Sequence, residues 1–191
     1  MDEKIRQKIA EAAHAEYGLK ATELRIDEVE QLRRPGCSFY TVGSDVRPLS
    51  YEANYAVLSG NEVIGISSPN AAAKILDACS GDASADWWAE IITRFHPDLG
   101  SGIVLSDENE RPDIVRRLVQ AGKTFTPPAF HHNKQGVSFL LLNPEMYVLY
   151  RVEATRTPAG SIEVVKTKLF GGTTSTKSNS DPSDKIAEAL R

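Results

Sequence analysis

The order in which hydrophobic periodicity changes along this chain limits its fold more than any single motif does. Ile5, Ile9, Ala12, Ala13 and Tyr17 recur at helical spacing, with charged residues on the opposite face. Asp2 is placed to cap that helix and Gly18 to end it in a left-handed conformation. Strand-like segments follow at residues 24–29, 37–42, 52–58 and 63–66, with a turn signal at Arg34-Pro35-Gly36. Ser59-Gly60-Asn61-Glu62 reads as a tight hairpin, because Gly and Asn tolerate the positive φ angles such a turn needs.

The pattern then becomes helical three times. Ser68-Pro69 predicts a helix start, Ser as cap and Pro at the first helical position, running to Cys79. A second helix starts at Ser84 and stops at His96-Pro97, where proline lacks the N–H and restricts its predecessor. A third covers Arg111 to Ala121, closed by Gly122. The last third returns to strands: Val137–Leu142, apolar throughout as for a strand covered on both faces, then Met146–Thr155 and Ser161–Phe170. Thr157-Pro158-Ala159-Gly160 fits a type I turn between the last two.

Strands do not alternate regularly with helices, which disfavours a doubly wound parallel sheet. The expected class is α+β: a curved antiparallel β-sheet with helices packed on one face, in a single domain over residues 1–170. Residues 171–191, rich in Gly, Ser and Thr, are expected to form a flexible tail, since they cannot bury enough apolar surface to offset their ordering entropy. Ile186, Ala187 and Leu190 could make one last helical turn. Each half reads as a helix followed by strands, but residue identities between the halves do not support a duplication.

A chain of 191 residues can bury a core that needs no metal or disulfide. The two cysteines, Cys37 and Cys79, lack any C-x-x-C spacing and are read as small, buried and reduced. A net charge of −4 argues against general attraction to nucleic acid or to an anionic membrane. The longest apolar run, near Phe139–Leu142, is far short of the about 20 residues of a membrane span, and Met1–Arg6 holds no leader-like apolar core. The expectation is a soluble, cytoplasmic protein with no nucleic-acid partner, no membrane insertion and no cofactor.

No motif names a reaction. Gly171-Gly172-Thr173-Thr174-Ser175-Thr176-Lys177-Ser178 superficially resembles a phosphate-binding loop, but Thr176 replaces the glycine that lets the backbone wrap a phosphate. Ser101 lacks the G-x-S-x-G spacing of a nucleophile elbow. His131 and His132 are adjacent, so on a strand they point to opposite faces; at a strand end one could join His96 or Asp98 at a metal or act as a base. Asp107, Glu108, Glu110 and Asp113 cluster where the helix dipole favours carboxylates. Phe39, Tyr40, Tyr51 and Tyr55 sit among the first strands, where tyrosines can line a pocket or pack across strands.

Trp87 and Trp88 are the most unusual pair. Neighbours on a helix differ by about 100° in direction. One tryptophan is therefore expected in the core; the other is either half covered, as a candidate binding anchor, or also in the core or under a loop. The binding candidates are accordingly Trp87, Trp88, Tyr55, His131 and His132, with no catalytic or metal residue assigned. The expected function is a non-catalytic module that occupies another protein's surface: an adaptor, an inhibitor or an immunity-type protein. Two alternatives stand beside it. One is a small-molecule binder or enzyme with a pocket between sheet and helices. The other is a structural subunit using residues 146–170 as a sheet edge.

Overall fold

A computed structural model describes residues 1–44, 53–100, 102–131 and 133–171. Tyr51, Ser101, His132 and the tail beyond Gly171, including the loop of residues 171–178, fall largely or wholly outside these segments.

The fold is α+β with antiparallel strands, divided between two sheets. The first sheet has the order β1 (Leu24–Glu28), β2 (Ser38–Ser44), β3 (Ala53–Leu58), β4 (Glu62–Gly65). The second runs β5 (Ile103–Leu105), β7 (Gly136–Asn143), β8 (Val148–Arg156), β9 (Ile162–Gly171), with the short β6 (Ala129–His131) also on β7. Four helices supply the other layers: α1 (Glu3–Tyr17), α2 (Ala71–Cys79), α3 (Ala85–Phe95) and α4 (Pro112–Gln120).

Three apolar clusters define the stacking. Ile9, Ala10 and Ala13 of α1 pack on Tyr40, Val42, Tyr55 and Val57, the outer face of the first sheet. Phe39, Ala56 and Ile64 on its inner face meet α2 and α3, which also meet Val137, Phe139, Leu141 and Val152 of the second sheet. Ile114 and Leu118 of α4 cover Leu105, Leu140, Leu142 and Leu149 on the far side. The layers are therefore helix, sheet, helix pair, sheet, helix. This arrangement explains why β3 and β7 are apolar at nearly every position: both of their faces are covered. It also explains α3, which is buried at Trp87, Trp88, Ala89, Ile91, Ile92, Thr93 and Phe95; a helix with so wide an apolar face, broken only by the stripe of Asp86, Glu90 and Arg94, belongs between two layers.

Local chemistry sets most boundaries. Asp2 accepts from the Lys4 N–H at 2.9 Å, and Gly18 ends α1 at φ 68°. Gly60 and Asn61 both take positive φ, 85° and 62°, in the β3–β4 hairpin. Gly160 N–H donates to the Thr157 carbonyl at 2.9 Å, closing the β8–β9 turn. One start is displaced. Ser68 does not cap α2; its Oγ accepts from the Gly65 N–H and its carbonyl from the Ala71 N–H, so Ser68-Pro69-Asn70 forms a turn and the helix starts at Ala71.

The cysteines overturn the sequence expectation. Cys37 and Cys79 are joined as a disulfide across a separation of 42 residues, with Cα atoms 6.0 Å apart. Neither cysteine shows this in the sequence, because the pairing depends on α2 folding back along the inner face of the first sheet.

Candidate functional site

Trp87 and Trp88 are both core residues, 4% and 8% exposed, so the expected half-covered anchor is absent. The angular argument holds but its consequence differs, since α3 has a sheet on each side. Trp87 faces the first sheet: its ring meets Phe39 edge-on at 6.0 Å, and its indole N–H donates to the Leu32 carbonyl at 2.9 Å. Trp88 faces the second, edge-on to Phe130 at 5.5 Å.

Tyr55 lies on the opposite side of the first sheet, under α1. Its hydroxyl donates to Glu16 Oε2 at 2.8 Å. Burial, then the hydrogen bond and charge of Glu16, push the phenol well above its ordinary value. Gly65 makes room for this pair: a Cβ there would stand 2.9 Å from the Tyr55 ring and 3.1 Å from Glu16 Oε2. Tyr55 is thus a strut between α1 and β3. Phe39 and Tyr40 point to opposite faces of β2 and join different clusters.

His131 ends β6 opposite Gly136, where any Cβ would collide with the imidazole. His96 stands elsewhere, at the end of α3. Its Nε2–H donates to the Ile162 carbonyl at 3.2 Å and its Nδ1 accepts from the Asp98 N–H at 3.3 Å. Asp98 is the carboxylate nearest that ring, at 3.9 Å. The acidic cluster also separates. Asp107 closes a local turn with Asn109, Glu110 accepts from the Ser106 N–H, and Asp113 holds Arg111 and Tyr147. Among the described residues, no three His, Cys, Asp or Glu side chains gather as a ligand set.

Among the concave surfaces of the described residues, two bear on a functional reading, and sequence patterning did not single them out. The larger, about 810 Å³, lies between α1 and β1. Ala10, buried, Ile26, half-buried, and Ala21, exposed, are its apolar residues; Arg6, Glu11, His14 and Lys20 surround them. Its only sequence signal is the intermediate burial of an apolar residue on an edge strand, which requires knowing that β1 is an edge. The smaller, about 310 Å³, joins the start of α2 to His96, Phe95 and Ile162. Asn70 caps α2 in a left-handed conformation, φ 54°, without a side-chain bond to the helix.

No protein-family model, curated protein or solved structure matches this chain. Its own geometry is the basis for a functional reading. Among the described residues, no helix is long and apolar enough to cross a membrane.

Proposed function

We propose that the protein is a non-catalytic protein-binding module, and that the groove between α1 and β1 is its contact surface. One observation carries this reading: an apolar floor ringed by charges of both signs, next to β1, an edge strand of its sheet among the described residues. Interfaces between proteins are built in this way, with an apolar centre that excludes water and a polar rim that fixes orientation. The favoured occupant is a polypeptide segment, extended along β1 or helical beside α1, that sets an apolar side chain against Ala10 and Ile26. A backbone strand complements the edge strand of a sheet directly.

The test places a photo-crosslinking residue at Gln7 in the groove and, as control, at Glu163 on β9. The protein captured through Gln7 is then purified and titrated. Arg6→Glu combined with Lys20→Glu should weaken that complex at least tenfold while leaving the melting temperature unchanged. Equal affinity for wild type and variant would refute the groove.

A small-molecule site is the second reading, favoured by the cleft where α2 begins and His96 lies. A panel of small carboxylates and phosphates followed by nuclear magnetic resonance at residues 70–73 tests it. Shifts confined to those amides would move this reading ahead. An intracellular setting suits either function only where the Cys37–Cys79 bond can form, because reducing compartments keep most thiols free.

A further inference from the structure

The turn before β2 and the corner between α2 and α3 are held together by ties of different chemistry. The Cys37–Cys79 disulfide is the covalent one. The Trp87 indole donates to the Leu32 carbonyl at 2.9 Å, and the Arg34 guanidinium lies over the Trp87 ring, 5.5 Å from its centroid. Arg34 Nη1 also stands 3.8 Å from Asp82 Oδ1. The turn is itself a unit. Arg34 and Cys37 exchange two backbone hydrogen bonds, at 3.1 and 2.9 Å, around Pro35 and a Gly36 at φ 74°. That is type II geometry, with the glycine where φ must be positive.

A cleft of about 490 Å³ opens on this turn, lined by Arg33, Arg34, Gly36, Cys37 and Ser38. It brings two arginines, Arg33 and Arg34, and open space beside Cys37, one half of the disulfide. Positive charge draws an anionic thiolate reductant towards the sulfur and stabilises the thiolate that leaves.

We propose that the Cys37–Cys79 disulfide is a redox-sensitive latch, which decides whether the Arg34–Cys37 turn is fastened to the α2–α3 corner. The reductant is a dithiol. Its thiolate attacks Cys37 Sγ through the cleft, the S–S bond breaks, and Cys79 leaves as a thiolate that takes up a proton. The second thiol of the reductant then attacks the mixed disulfide, releasing Cys37 and closing the reductant into its own disulfide. Two electrons and two protons pass from the dithiol to the protein. The polar ties from the turn that remain include an exposed ion pair, a ring contact, one indole hydrogen bond and a hydrogen bond from Ser59 Oγ to the Gly36 carbonyl, beside the apolar packing of Leu32. Ties of this kind hold a turn weakly once the covalent one is gone. The released turn carries Arg34 away from the corner, so the opened state presents a guanidinium that the closed state holds against Trp87 and Asp82.

The experiment uses the full oxidised chain under native conditions. Dithiothreitol is added, thiols are trapped with an alkylating agent and counted by mass, and hydrogen exchange is followed in parallel. Both cysteines should alkylate while far-ultraviolet circular dichroism is retained. Exchange at residues 34–38 and 80–83 should rise at least tenfold, with α1 and α4 unchanged, and oxidised glutathione should reverse it. The variant Cys37→Ser/Cys79→Ser should show the open exchange pattern without reductant. Arg33→Gln, an exposed side chain outside the latch, should slow thiol release at least twofold. Alkylation that occurs only at the rate of global unfolding would mark a permanent staple and overturn the proposal. So would thiol release with no change in exchange at the turn, or a rate indifferent to Arg33.

Discussion

The outer helix of each sheet is tied down by a tyrosine–carboxylate hydrogen bond, and the two bonds sit in opposite environments. Under α1, the Tyr55 hydroxyl reaches Glu16 from a ring that is 1% exposed. Beside α4, Tyr147 donates to Asp113 at 2.6 Å, on the surface, while Arg111 grips the same carboxylate and Arg117 lies over the ring at 4.8 Å. The first bond starts from a buried ring with little water; the second belongs to a network at a half-exposed surface. A hydrogen bond contributes most where losing it strands a desolvated group, so the shorter and better connected bond is the weaker contributor to stability. Both helices draw most of their hold from apolar faces, Ile9 and Ala13 in one and Ile114 and Leu118 in the other.

The middle layer sets the scale against which these ties are judged. Trp87→Ala and Trp88→Ala should each cost about 3–5 kcal/mol, the range for truncating a large buried aromatic. Denaturant titration measures this, and a cost under about 1 kcal/mol at either position would mean that α3 is not sandwiched. The same result bears on function: loss of binding in either variant would report unfolding rather than a missing anchor.

Tyr55→Phe should cost about 1–2 kcal/mol, because it leaves Glu16 half-buried without its donor. Its pH dependence follows from the raised phenol. A tyrosine whose folded value lies above the ordinary 10.0 contributes stability that is fully present below 10.0 and lost as pH rises through the folded value. Ultraviolet titration should therefore show Tyr55 silent up to alkaline unfolding. Early ionisation would place it in contact with water and erase the contrast with Tyr147.

Thr93 offers a change of the opposite sign. Its Oγ1 is buried with no hydrogen-bond partner among the described residues. Thr93→Val keeps the shape and removes the stranded hydroxyl, and should stabilise the protein by about 1 kcal/mol. A loss of stability would reveal a partner for the hydroxyl.

The smallest effect is expected at the exposed tie. Tyr147→Phe should leave the melting temperature unchanged at neutral pH. Hydrogen bonds from Arg111 and Tyr147 hold the Asp113 carboxyl well below the ordinary 3.8. A depressed value means that any contribution is present above 3.8 and lost only as pH falls through the lowered one. Carboxyl resonances followed by nuclear magnetic resonance should show Asp113 titrating last of the surface aspartates, and closer to the ordinary range in Tyr147→Phe, where the larger effect of Arg111 remains.

Much of the secondary structure was legible because its causes are local. Asp2 and Gly18 bound α1, Ser84 and His96-Pro97 bound α3, and Gly60-Asn61 shapes a hairpin; each effect acts within a few residues. Ser68-Pro69 misled for the same reason in reverse, since the Gly65 N–H competes for the serine oxygen that a helix cap would use. The candidate site was much less legible. His131, Tyr55 and the tryptophans carry distinctive chemistry, yet they stand apart, in separate layers or strands. The groove beside α1 is built from ordinary residues such as Gln7 and Ile26, which become concave only when α1 and β1 are set side by side.

The sequence by itself determined where most helices and the longer strands fall, that the strands pair antiparallel, and which faces are apolar, because period, caps and turns are written in neighbouring residues; the short β5 and β6 and the Ala71 start of α2 came only with the structure. Only the tertiary structure decided that the strands form two sheets, that α3 lies between them with a tryptophan for each, and that Cys37 meets Cys79. Those outcomes depend on which apolar face meets which. Burial is non-directional, so an apolar stripe specifies that it is covered and not by what.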